Sequence, residues 1–129
     1  MATEEKQEWL DRMPPVYHSA RRLLLQLMAS TGKADRRLKY GAVPDAANLV
    51  LAVMTDIAFA DKRGIETFAR ISFITTAQVK MDEVKVRIRV LYDAKAVKKP
   101  GFSAITDLER NVDIQLAKWK ASLEKDRNV

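Results

Sequence analysis

His18 is the single histidine of this 129-residue chain, and there is no cysteine. A lone imidazole cannot build a multi-histidine metal site. Without a thiol there is no thiolate ligand, thiol nucleophile or disulfide. Ser19, Ser72, Ser103 and Ser122 have no base at a spacing that would activate a hydroxyl. Carboxylate-bridged metals in helical bundles need Glu-x-x-His pairs on facing helices, and the residue three before His18 is Pro15. The glycines at 32, 41, 64 and 101 are isolated, so no phosphate-cradling loop is written into the chain. His18, beside Tyr17, reads as a structural residue. This inventory predicts no enzyme, no metal and no cofactor. It directs attention to binding and assembly.

Charge is where the residue types become informative. The chain holds 23 Lys and Arg against 17 Asp and Glu, a net of +6. Residues 1–11 hold four acids, Glu4, Glu5, Glu8 and Asp11, and one lysine, which leaves 22 basic and 13 acidic residues beyond them. Two segments concentrate the positive charge. Lys33, Arg36, Arg37 and Lys39 fall close together, opposed only by Asp35, and Tyr40 follows them. Lys80, Lys85, Arg87, Arg89, Lys95, Lys98 and Lys99 face Asp82, Glu83 and Asp93. Clustered cations raise the local concentration of polyanions, and Tyr40 offers a ring for stacking or for phosphate contact. A solvated helix surface is the competing reading of the same charges. Trp9 and Trp119 also qualify as stacking rings, but Trp119 follows Leu116 in an apolar stripe and is assigned to the core or to a subunit interface.

The elements that must position these residues read as helices. Residues 1–14 form an N-terminal extension in which Trp9, Leu10 and Met13 make one edge of a short helix, stopped by Pro14-Pro15. Residues 15–126 then form the domain. The first helix runs from Pro15 with Val16, Ala20, Leu23, Leu24 and Leu27 at helical spacing, and Gly32 caps it. Lys33 to Gly41 is a polar connection. The second helix opens at Pro44, with Asp45 at its positive end and Ala46, Leu49, Val50, Val53 and Ile57 inward. A turn at 61–64 leads to a third helix over 65–97, with Phe68, Ile71, Phe73, Val79, Val84, Ile88 and Leu91 as its stripe. The β-branched stretch at Thr75-Thr76 is a place for a bend. Lys98-Lys99-Pro100-Gly101 ends it. Ser103 caps the fourth helix, which carries Ile105, Leu108, Val112, Leu116, Trp119 and Leu123. No apolar run approaches the ~20 residues of a membrane span, and the acidic start is unlike a signal peptide, so a cytoplasmic protein is expected. The fold class is therefore all-α, an antiparallel up-and-down four-helix bundle. Phe59, Phe68, Phe73 and Trp119 exceed what one small core absorbs, and predict a homo-oligomer.

The turn Lys33-Ala34-Asp35-Arg36-Arg37 after the first helix resembles the Lys-x-x-Arg turn of a bacterial four-helix-bundle family. That family includes proteins encoded in ribosomal RNA intervening sequences and the accessory variability determinants of diversity-generating retroelements. The stretch Asp82 to Asp93, with Val84, Arg87, Ile88, Arg89 and Leu91, is similar to its third helix, and Val112 to Leu123 with Trp119 to its last. The likeness covers residues 15–123. It departs at Gly32, where the family often has proline, and in the mixed-charge tail.

The accessory determinants are the closest branch. That resemblance implies a ring-like homopentamer that binds RNA and DNA without marked sequence preference. It also implies association with the retroelement's reverse transcriptase during mutagenic copying of template RNA into cDNA. It carries Lys33, Arg36 and Arg89 over as contacts; Arg37, Lys39, Tyr40 and Lys85 are added from clustering. The alternative is a structural bundle of the intervening-sequence type, with protein or ribosomal RNA contacts. No membrane partner is expected.

Overall fold

In the computed structural model, which describes residues 8–127, Pro14 is extended and Pro15 starts the first long helix. Proline is favoured there because its missing N–H is one that a helix start leaves unpaired. Five helices follow in order: α1 Pro15–Ser30, α2 Arg36–Tyr40, α3 Ala42–Ala60, α4 Thr67–Asp93 and α5 Lys99–Arg127. One helical turn at 8–11 precedes them, and no strand occurs among the described residues. α1 packs on α3 and α5, α3 on α4, and α4 on α5. The four long helices thus close a circuit, with α2 laid against α3. Short connections make sequential neighbours antiparallel. The expected all-helical bundle is present in the single chain.

The core repeats at spacings of three and four. α1 supplies Val16, Ala20, Leu23 and Leu27; α3 supplies Ala46, Val50, Val53 and Ile57; α4 supplies Ile74, Met81, Val84 and Ile88. Along α5 the inward register runs Ile105, Glu109, Val112, Leu116 and Leu123. A carboxylate therefore occupies a core position. The valine, leucine, isoleucine and methionine members contribute about 1.5–3 kcal/mol each on full burial. On α4 the stripe differs from the expected one. Phe68 lies in the first turn and is 67% exposed, while Val79 is 64% exposed because it lies almost opposite Ala77, which is buried. Ile74, Ala77 and Met81 take the inward places. Phe73 is half-buried and stacks on Phe59 of α3, with centroids 5.5 Å apart. Helix α4 runs unbroken through Thr75 and Thr76. Their hydroxyls donate to the carbonyls of Ile71 and Ser72, both at 2.9 Å, so each is satisfied within the helix at a small cost in helix stability.

Several boundaries move relative to the sequence reading; α1 ends at a Thr31 cap, not at Gly32, and α4 opens at Thr67, not at 65. α3 opens at Ala42, so Pro44 sits inside its first turn, where proline is still tolerated. α4 stops at Asp93, not 97. Its end is a Schellman closure: Ala96 N–H donates to Leu91 C=O at 2.8 Å and Lys95 N–H to Tyr92 C=O at 3.0 Å. Lys95 holds the left-handed position of that motif, with φ of 66°. Lys99, Pro100 and Gly101 then begin α5 instead of ending α4, and Ser103 lies within the helix, not at its cap. Gly101 stands where the Ser30 side chain of α1 comes against α5. A Cβ at that position would stand 2.7 Å from Ser30 Oγ and 2.9 Å from Ser30 Cβ.

The segment Arg36–Ala60 is long and apolar enough, by length and composition alone, to cross a membrane, with a mean hydropathy of 1.4 over its best window. Its apolar residues Val50, Val53, Ile57 and Ala60 are enclosed by the other helices. Burial accounts for part of that composition, 39% of the window being enclosed, while Leu51 and Phe59 of the same helix stay exposed. Of the N-terminal extension, Trp9 is exposed and meets Tyr17 edge-on at 5.9 Å. The acidic residues Glu4 and Glu5 lie outside the described residues.

Candidate nucleic-acid interface

The connection read as polar coil contains a helix because Asp35 caps it. Its Oδ1 accepts from the Arg37 N–H at 3.1 Å, which satisfies one of the unpaired donors of α2. Ala34 and Leu38, four residues apart, pack on the core and pin this short helix to the bundle. The side chains between and just after them are left on the outside. Arg36, Arg37, Lys39 and Tyr40 are all exposed, Tyr40 at 72%. Lys33, just before, is exposed as well. Among the described residues none of Lys33, Arg36, Arg37 and Lys39 makes an ion pair. Four cations without an ion-pair partner among the described residues and one aromatic ring therefore share an exposed segment.

Lys85 and Arg89 occupy a different environment. Both face α5, as their four-residue spacing predicts. Lys85 is half-buried and bridges to Asp113 of α5, with Asp82 at 3.6 Å. The hydrogen bond it donates to the Asp113 carboxylate holds its ammonium above the ordinary 10.5. Its charge is met inside the protein, so it ties α4 to α5. Arg89 pairs with Asp93 at 3.2 Å and lies 5.7 Å from the Tyr92 centroid and 5.8 Å from that of Phe102. Those two rings stack at 4.2 Å. Arg89 remains exposed at the rim, with an acid beside it.

Two features at the helix contacts carry no signal in composition. Asp56 of α3 is buried and pairs with Lys80 of α4 at 2.8 Å. Glu109 is 5% exposed, and its Oε2 has no hydrogen-bond partner among the described residues. Burial pushes its carboxyl up to about 7; the Lys85 charge opposes the rise and Asp113 adds to it. The heptad register of α5, with Glu109 four after Ile105 and three before Val112, was the available clue.

His18 is half-buried with its ring edge-on to Tyr17, 6.1 Å away. Trp119 is half-buried, packs on the core and lines an apolar recess with Pro14, Pro15 and Val16. A second apolar groove runs between α1 and α3, where Met28 and Leu51 stand exposed beside Val43 and Lys39. No family model, curated protein or solved structure matches the chain.

Proposed function

We propose that this protein is a non-enzymatic, sequence-nonspecific nucleic-acid-binding subunit that assists a reverse transcriptase of the diversity-generating retroelement type, in the cytoplasm. The observation that carries the binding part is the face of α2. Arg36, Arg37 and Lys39 project from a helix anchored by Ala34 and Leu38, with Tyr40 at its end. Such a surface suits phosphate contact, which positions a protein on a strand without reading its sequence. The polymerase partnership rests on the resemblance of the Lys33–Arg37 turn and of the helix order. Self-association, to a pentamer on that resemblance, has a surface to use in Met28 and Leu51 along the α1–α3 groove. That groove also supports the second reading, a bundle that assembles with protein alone.

Titrating fluorescent RNA and DNA of unrelated sequences against salt tests the first reading. Affinities should agree within a small factor, and the logarithm of the affinity should fall by about 0.7 per decade of salt for each single-strand phosphate neutralised. Arg36→Ala combined with Arg37→Ala should weaken every sequence alike and flatten that slope, with helical circular dichroism intact. Lys118→Ala with Lys120→Ala is the control and should matter less. Wild-type binding by the α2 pair, or no binding at low salt, would favour the protein-only bundle. Light scattering should give about five protomer masses. cDNA yield from template RNA should fall when the protein is withheld from its reverse transcriptase.

A further inference from the structure

The α1–α2 and α4–α5 connections meet at one end of the bundle around an open cavity of about 360 Å³. Lys33 lines it from the first connection, Lys95 and Lys98 from the second, and none of its lining residues is acidic. Among the described residues none of these three lysines makes an ion pair, and the adjacent Asp93 is held by Arg89. Like charges brought to one concavity repel one another, and an anion relieves that repulsion. Ser30 adds a neutral donor to the wall. Its Oγ accepts from Gln26 Nε2 at 2.7 Å, and its own proton takes no acceptor among the described residues.

We propose that this cavity binds a phosphomonoester group. Three unpaired lysines match a monoester, which carries about −1.5 to −2 charge near neutral pH, better than a singly charged backbone diester. The volume lies at the small end of ligand sites, about 300–1,000 Å³, enough for a phosphate with its attached sugar. The source assigned is the terminal phosphate of a nucleic-acid strand, and this assignment alone rests on the nucleic-acid reading above. The cavity is separate from the outward face of α2 and shares only Lys33 with that basic segment.

Binding of AMP, adenosine and inorganic phosphate, measured by calorimetry, tests the site. A short RNA bearing either a 5′-phosphate or a 5′-hydroxyl tests the source. The variant is Lys95→Gly with Lys98→Gln, and glycine suits the left-handed backbone at 95, so the fold is retained. AMP should bind at least about tenfold tighter than adenosine, since charge-assisted hydrogen bonds are lost with the phosphate. The double variant should abolish that preference, and Lys33→Gln should reduce it. The 5′-phosphorylated RNA should bind tighter than its hydroxyl twin in the wild type only. If AMP and adenosine bind alike, or the double variant keeps the preference, the inference is overturned even when hydroxyl-ended RNA still binds α2. If AMP binds selectively and neither RNA binds, the strand-end source and the proposed function fall together, and the cavity is a free-nucleotide site.

Discussion

Replacing Glu109 by Gln exchanges a carboxyl for an amide of nearly the same shape at a core position of α5. The native side chain is buried, its Oε2 is unpaired, and its carboxyl titrates at about 7 instead of the ordinary 4.5. The folded protein therefore holds the proton more tightly than the unfolded chain does. The stability this supplies is complete below about pH 4.5 and is lost as pH rises through about 7. The interval corresponds to about 3 kcal/mol at 1.36 kcal/mol per pH unit. Partial solvation of the site makes about 2 kcal/mol the realistic effect.

Urea unfolding followed by circular dichroism gives the difference between variant and wild type at each pH. Near pH 5 the two should be within about 0.5 kcal/mol, because neutral Glu and Gln are alike. Near pH 8 the Gln variant should be more stable by about 2 kcal/mol. Other carboxylates titrate in both proteins and cancel. A difference that is the same at both pH values, or a Gln variant less stable at pH 8, would refute the assignment of Glu109 as a proton-holding core residue.

Lys95→Gly should stabilise the protein by about 1 kcal/mol, because glycine holds a left-handed φ without the Cβ penalty; a thermal midpoint raised by a few degrees checks it. Gly101→Ala should destabilise by about 1–3 kcal/mol despite alanine's better helix propensity, since the new Cβ meets Ser30. Ser30→Gly in the same chain should recover part of the loss, a coupling that a double-mutant cycle measures. Lys80→Met strands the buried Asp56 charge and should cost about 2–4 kcal/mol in urea unfolding, with Asp56→Asn in the same background recovering most of it.

Composition and periodicity sufficed for the helical class and for much of the core. Val16, Ala20, Leu23 and Leu27, and likewise Val112, Leu116 and Leu123, recur at spacings that one helix face must bury. The exposed cations of 33–39 were also legible, because a dense run of Lys and Arg cannot be buried without partners. The same sequence misplaced Phe68 and Val79, since size and hydrophobicity do not reveal where a neighbouring helix begins to cover a face. It gave no sign that Lys95 adopts a left-handed backbone to let Ala96 and Leu91 close the end of α4.

The fate of each charge was decided by tertiary structure alone. Lys85 and Lys33 are the same residue type in similar basic stretches, yet Lys85 meets Asp113 across the α4–α5 contact and Lys33 meets the cavity it shares with Lys95 and Lys98. Which partner an ionisable group finds depends on residues far away in the chain, brought near only when the four long helices close their circuit. Local pattern specifies the helices; long-range packing specifies which of their charges remain free to act.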